Sequence, residues 1–117
     1  MNRFRLILAA AAAAALVTAA PSGAAATKLV ANVGPGFTIT LTKAGKKVTT
    51  LKPGVYSITV NDKSTAHNFH LTGLGVNKST TVGFKGTKTW TVTLKKATYK
   101  YVCDPHKTFM KGSFRVG

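Results

Sequence analysis

Cys103, His106 and Met110 fall within the eight residues Cys103-Asp104-Pro105-His106-Lys107-Thr108-Phe109-Met110, placing a thiolate, an imidazole and a thioether on one short run. A second imidazole comes from upstream, in Ala66-His67-Asn68-Phe69-His70-Leu71. One thiolate, two imidazoles and a weak axial thioether suit a single copper ion that changes oxidation state with little change of geometry, because both states accept soft sulfur and low coordination. The spacing has a structural reason. Cys103 ends a strand-like run, Pro105 turns the chain, and His106 and Met110 point back from the same loop before the next strand. His67 has to arrive from the end of a different strand.

Cys103 is the only cysteine, so it has no intramolecular disulfide partner. In an oxidising compartment a lone thiolate needs burial or a metal to survive. An isolated cysteine reads first as an inert buried thiol, but His106 and Met110 beside it favour the metal. His70 lies three residues after His67, and in an extended strand it points to the opposite face, which reads as exposed and structural. Asp104 reads as a hydrogen-bonding partner for the loop backbone, without a metal role.

These groups must be held by strands. From Lys28 onward the chain alternates apolar and hydroxyl residues between turn signals, and no stretch keeps a helical apolar period for two full turns. Lys88 to Leu94 is the clearest case, with Trp90, Val92 and Leu94 on one face and Thr89, Thr91 and Thr93 on the other. Val55 to Val60, His67 to Leu71, Tyr99 to Cys103 and Ser113 to Val116 read as further strands. Gly34-Pro35-Gly36, Ala44-Gly45-Lys46-Lys47 and Lys52-Pro53-Gly54 read as turns. The expected fold is an all-β Greek-key sandwich of seven or eight strands.

Arg3 and Arg5, the apolar run Leu6 to Val17 and the small residues through Ala26 match a secretory signal peptide. We expect residues 1–26 to be removed, cleavage after Ala20 being the alternative, leaving one domain at 27–117. The expected location is periplasmic or secreted, with no membrane span after cleavage. Without those two arginines, fifteen Lys and Arg face only Asp62 and Asp104, a net charge of +13. Such a field attracts acidic proteins and anionic polymers and weakens with salt. The lysines are scattered singly or in pairs, and no specific nucleic-acid partner follows from them.

His67-Asn68, the Cys103-x2-His106-x3-Met110 loop with Pro105 before the histidine, and the flanking Val102 and Phe114 resemble the plastocyanin, pseudoazurin and amicyanin group of cupredoxins. The resemblance runs from about Phe37 to the C-terminus. It implies one type 1 (blue) copper ion with His67, Cys103, His106 and Met110 as metal ligands. It also implies that the backbone amide of Asn68 donates to the Cys103 sulfur, and that His106 is the partly exposed ligand through which electrons pass. Phe109, with Pro35 and Leu74, would form an apolar docking patch, and Lys107 and Lys111 a collar for an acidic redox partner. One departure stands out: Lys107, Thr108 and Phe109 make three residues between His106 and Met110, where plastocyanin-like loops have four and amicyanin-like loops two.

The leading reading is a soluble, monomeric one-electron carrier that cycles copper(II) and copper(I) and is not an enzyme. The alternative is copper storage, delivery or sensing; Met110 as the only methionine after residue 26 argues against it, since delivery proteins often show exposed methionine or histidine clusters. A thiol enzyme using Cys103 and His106 would lack a second cysteine and an acid to orient the histidine.

Overall fold

The alternation translates directly into paired strands. The computed structural model describes residues 25–117, so the expected signal peptide falls, apart from Ala25 and Ala26, outside the described residues. Ten strands occur among them: β1 (Thr27–Val33), β2 (Ile39–Lys43), β3 (Lys46–Lys47), β4 (Thr50–Leu51), β5 (Gly54–Asp62), β6 (His70–Gly73), β7 (Val76–Ser79), β8 (Gly86–Leu94), β9 (Ala97–Val102) and β10 (Lys111–Val116). One 3-10 turn among the described residues spans Asp104–His106. The strands form two five-stranded sheets, ordered β3-β2-β1-β5-β8 and β4-β10-β9-β6-β7. No helix of the described residues is long and apolar enough to cross a membrane.

The strand count exceeds the expected seven or eight because β3, β4 and β7 are too short or too polar to alternate visibly. Lys46 and Lys47, expected within a turn, instead pair with Lys43 and Thr42. The turn itself is Ala44-Gly45, both at positive φ (49° and 79°), which makes a tight two-residue hairpin. The segment expected as a strand from His67 starts its ladder only at His70. His67, Asn68 and Phe69 are all buried, a run that no alternating strand produces.

Leu29, Ala31, Val33, Leu41, Ile58, Val60 and Leu94 from the first sheet meet Leu71, Tyr99, Tyr101, Phe114 and Val116 from the second in one core. Each of the buried Val, Leu, Ile and Phe side chains stabilises by roughly 1.5–3 kcal/mol relative to exposure, so the core holds the fold and the loops only need to be carried by it. Tyr99 and Tyr101 clamp β9. A Cβ on Gly73 would sit 2.1 Å from the Tyr99 ring, and one on Gly112 would sit 2.2 Å from that of Tyr101, so only glycine lets these rings lie over the neighbouring strands. The Tyr99 hydroxyl accepts from the Lys95 amide (3.0 Å) and donates to the Lys95 carbonyl (2.8 Å). Sliding β9 would break all of these contacts. Val102 at its end faces His70 across β6 and Lys111 across β10, so both donor-bearing segments meet at one end of the second sheet.

Candidate metal centre

The His67 arm leaves β5 through two side-chain-stabilised turns. The Ser64 amide donates to Asp62 Oδ1 (3.0 Å) and the Ala66 amide to Ser64 Oγ (3.1 Å). Buried Thr80 then fixes the next residues: the Phe69 amide donates to its Oγ1 (2.9 Å), its own amide donates to the Phe69 carbonyl (3.0 Å), and Asn68 Nδ2 donates to its carbonyl (3.2 Å). The Phe69 ring stacks on Tyr101, centroids 5.4 Å apart, which anchors the arm in the core.

The second arm is a loop closed on itself. The Cys103 amide donates to the Met110 carbonyl (3.0 Å), the His106 amide to the Cys103 carbonyl (2.9 Å), and the Met110 and Phe109 amides to the His106 carbonyl (2.8 and 3.1 Å). Pro105 sits in the first turn of the 3-10 segment, where its missing N–H costs nothing. Cys103 and Met110 are buried, and His106 lies half-buried at the rim.

These arms bring His67 Nδ1, His106 Nδ1 and Cys103 Sγ together. The nitrogens are 3.1 Å apart and each is 3.6 Å from the sulfur. A point equidistant from all three lies about 2.0 Å from each, which is a metal–nitrogen bond length and a little short of a metal–thiolate one. Three ligand atoms gathered this closely suit a cation. Imidazole and thiolate donors with no carboxylate in the group favour copper or zinc over magnesium, calcium or manganese, and Met110 in the same loop closure suits copper.

Around this triangle the structure adds groups that spacing alone did not reveal. Phe37 follows the Gly34-Pro35-Gly36 turn and stands edge-on to His67 (5.5 Å), His106 (5.0 Å) and Phe109 (5.6 Å). It is 64% exposed and Phe109 58%, so the rim beside His106 is apolar and open. An aromatic directly after a glycine-rich turn was the available signal. Leu74, expected in this patch, lies in the β6–β7 turn and lines a separate hollow with Val76 and Thr91. Lys107 and Lys111 are exposed beside His106 and Met110.

Asn68 and Asp104, each adjacent to a donor residue, are clasped. The Asp104 amide donates to Asn68 Oδ1 and Asn68 Nδ2 donates to Asp104 Oδ2, both at 2.7 Å. The Asn68 bonds found thus run through its side chain to Asp104 and Thr80; among the described residues none joins its backbone amide to the Cys103 sulfur. Asp104 bonds side chains with its carboxylate, where backbone contacts were expected. His70 is not exposed as expected either: it is half-buried, its Nδ1 facing Asp104 Oδ1 and Oδ2 (2.9 and 3.1 Å) and its Nε2 facing Asn77 Oδ1 (2.6 Å). Burial alone would lower the His70 pKa, but the bonds to Asp104 and Asn77 and the Asp104 charge outweigh it and raise it. Burial alone would raise that of Asp104, yet the Asn68 and His70 bonds and the charges of His70 and Lys107 hold it below the usual carboxylate range. Asp62, buried at the end of β5, is pushed up by burial, partly offset by the Ser64 amide and the charge of His67.

The comparisons agree with this geometry. The model of the copper binding proteins of the plastocyanin/azurin family matches residues 38–117. Among solved structures, reduced rusticyanin aligns at 26% identity and a TM-score of 0.55, over 77% of this chain and 78% of its own. Rusticyanin from Thiobacillus ferrooxidans gives 26% and 0.51, over 77% and 76%. A chain of a heme-copper terminal oxidase dimer, at 19% and 0.55 over 77% and 63%, shares the fold. The comparison with curated proteins gave no match. The chain therefore belongs to the plastocyanin/azurin family of copper binding proteins, with one copper ion as its cofactor.

Proposed function

We propose that His67, Cys103, His106 and Met110 would hold copper, and that the protein is an extracytoplasmic one-electron carrier with no catalytic turnover of its own. Copper in this donor set supplies a copper(II)/copper(I) couple. The single observation carrying the reading is that the thiolate and one imidazole are buried, the imidazole held by the core and the thiolate by its closed loop, while the second imidazole reaches the surface beside Phe37 and Phe109. Fixed donors need little rearrangement when the charge changes, and a half-exposed imidazole gives a partner a short route in. Export of residues 27–117 rests on the leader-like N-terminus, and β1 begins at Thr27. The apolar rim flanked by Lys107 and Lys111 fits a small, transient contact with an acidic partner. Delivery or storage fits less well, because it calls for accessible donors and Cys103 and His67 are buried.

Electron self-exchange between oxidised and reduced holoprotein, measured by NMR line broadening, tests this reading. Fast exchange is expected. Slow exchange combined with rapid handover of copper to a chelator would replace the carrier with a delivery protein.

A further inference from the structure

Of the three histidines, His70 has no place in the donor triangle, yet it is the most fully hydrogen-bonded. The register explains how it gets there. Pairing of β6 with β9 sets His70 opposite Val102, two residues before Asp104, and pairing of β6 with β7 sets it opposite Ser79, diagonal to Asn77. Both ring nitrogens therefore face oxygen acceptors from different elements. Asp104 in turn holds Asn68 through two bonds of 2.7 Å, and Asn68 and Asp104 directly follow His67 and Cys103 in the chain.

We propose that His70 is a positioning residue of the metal centre: it ties β7 to the Cys103 loop through Asn77 and Asp104, and so holds the Asn68–Asp104 clasp that keeps His67 and Cys103 at bonding separation. The inference rests on the copper reading above. Without His70, Asp104 Oδ1 loses its protein partner and the carboxylate is free to turn toward water, which loosens the clasp from the open side. Partners outside the donor set orient the ligands themselves, and removing one typically costs about 10–100-fold in metal affinity.

The test uses full-length mature holoprotein loaded with copper and challenged with a copper(I) chelator, in wild type, His70→Leu, His70→Gln and Asn77→Ala, with Thr93→Ala on the exposed face of β8 as control. The expected result is copper release about tenfold or more faster in His70→Leu, with a shifted thiolate-to-copper absorption band. Asn77→Ala should move both readouts the same way by less, His70→Gln should fall between, and Thr93→Ala should match wild type. If His70→Leu does not fold, Asn77→Ala carries the test. Unchanged band and release rate in the folded variants, with a normal wild-type band, would overturn the role of His70 alone. A wild-type protein without the band would overturn the copper reading and this inference with it.

Discussion

The two donor-bearing arms solve the same problem differently. The His67 arm is short, buried and tied to the sheets through Thr80 and the Phe69 ring. The Cys103–Met110 arm supports itself with four backbone bonds and turns Lys107, Thr108 and Phe109 outward. One arm takes its shape from the core, the other from its own closure, and they meet at the Asn68–Asp104 clasp. The upstream arm should therefore respond to mutation through stability, and the downstream loop through surface contacts.

Phe69→Ala is the strongest way to break that contrast. It removes a fully buried ring stacked on Tyr101, and we expect a loss of about 3–5 kcal/mol in denaturant unfolding of the metal-free protein. Asn68→Ala should cost about 1–3 kcal/mol, since it leaves the buried Thr80 carbonyl and the Asp104 amide without partners.

The clasp also gives a smaller pH signature. Asp104, whose pKa is lowered by folding, contributes stability above its unfolded value near 4, lost as pH falls through its folded value. His70, whose pKa is raised, contributes below its unfolded value near 6.5, lost as pH climbs through its folded value. Their joint contribution is thus largest between about pH 4 and 6.5, and it is modest because Asp104 is partly exposed. Asp62, raised by burial, contributes below its own unfolded value and is lost as pH rises. The wild-type-minus-His70→Gln difference in apoprotein unfolding isolates the clasp, and it should shrink on the alkaline side. At the bottom of the scale, Phe37→Ala and Phe109→Ala remove exposed rings and should change stability by no more than about 0.5 kcal/mol while slowing electron exchange.

What the sequence disclosed follows from the same contrast. Alternation exposed β5, β8 and β9, because a two-residue period survives in the order of residues. It could not expose β3 or β7, whose residues are mostly polar and set by pairing alone. The donor residues were readable because thiol, imidazole and thioether are rare and three of them share one loop. Phe37, Thr80 and the His70–Asp104 bond were not, since the contacts join positions 34 residues apart for His70 and Asp104, and farther still from Phe37 to Phe109, with no spacing rule to announce them.

The central claim is that His67, Cys103 and His106 converge on one copper ion. Electron paramagnetic resonance of the copper(II) protein, with Cys103→Ser alongside, tests it most directly. The account predicts the small parallel hyperfine splitting of a covalent copper–thiolate bond in wild type and its loss in Cys103→Ser. A wide, tetragonal signal that is the same in both proteins would contradict it.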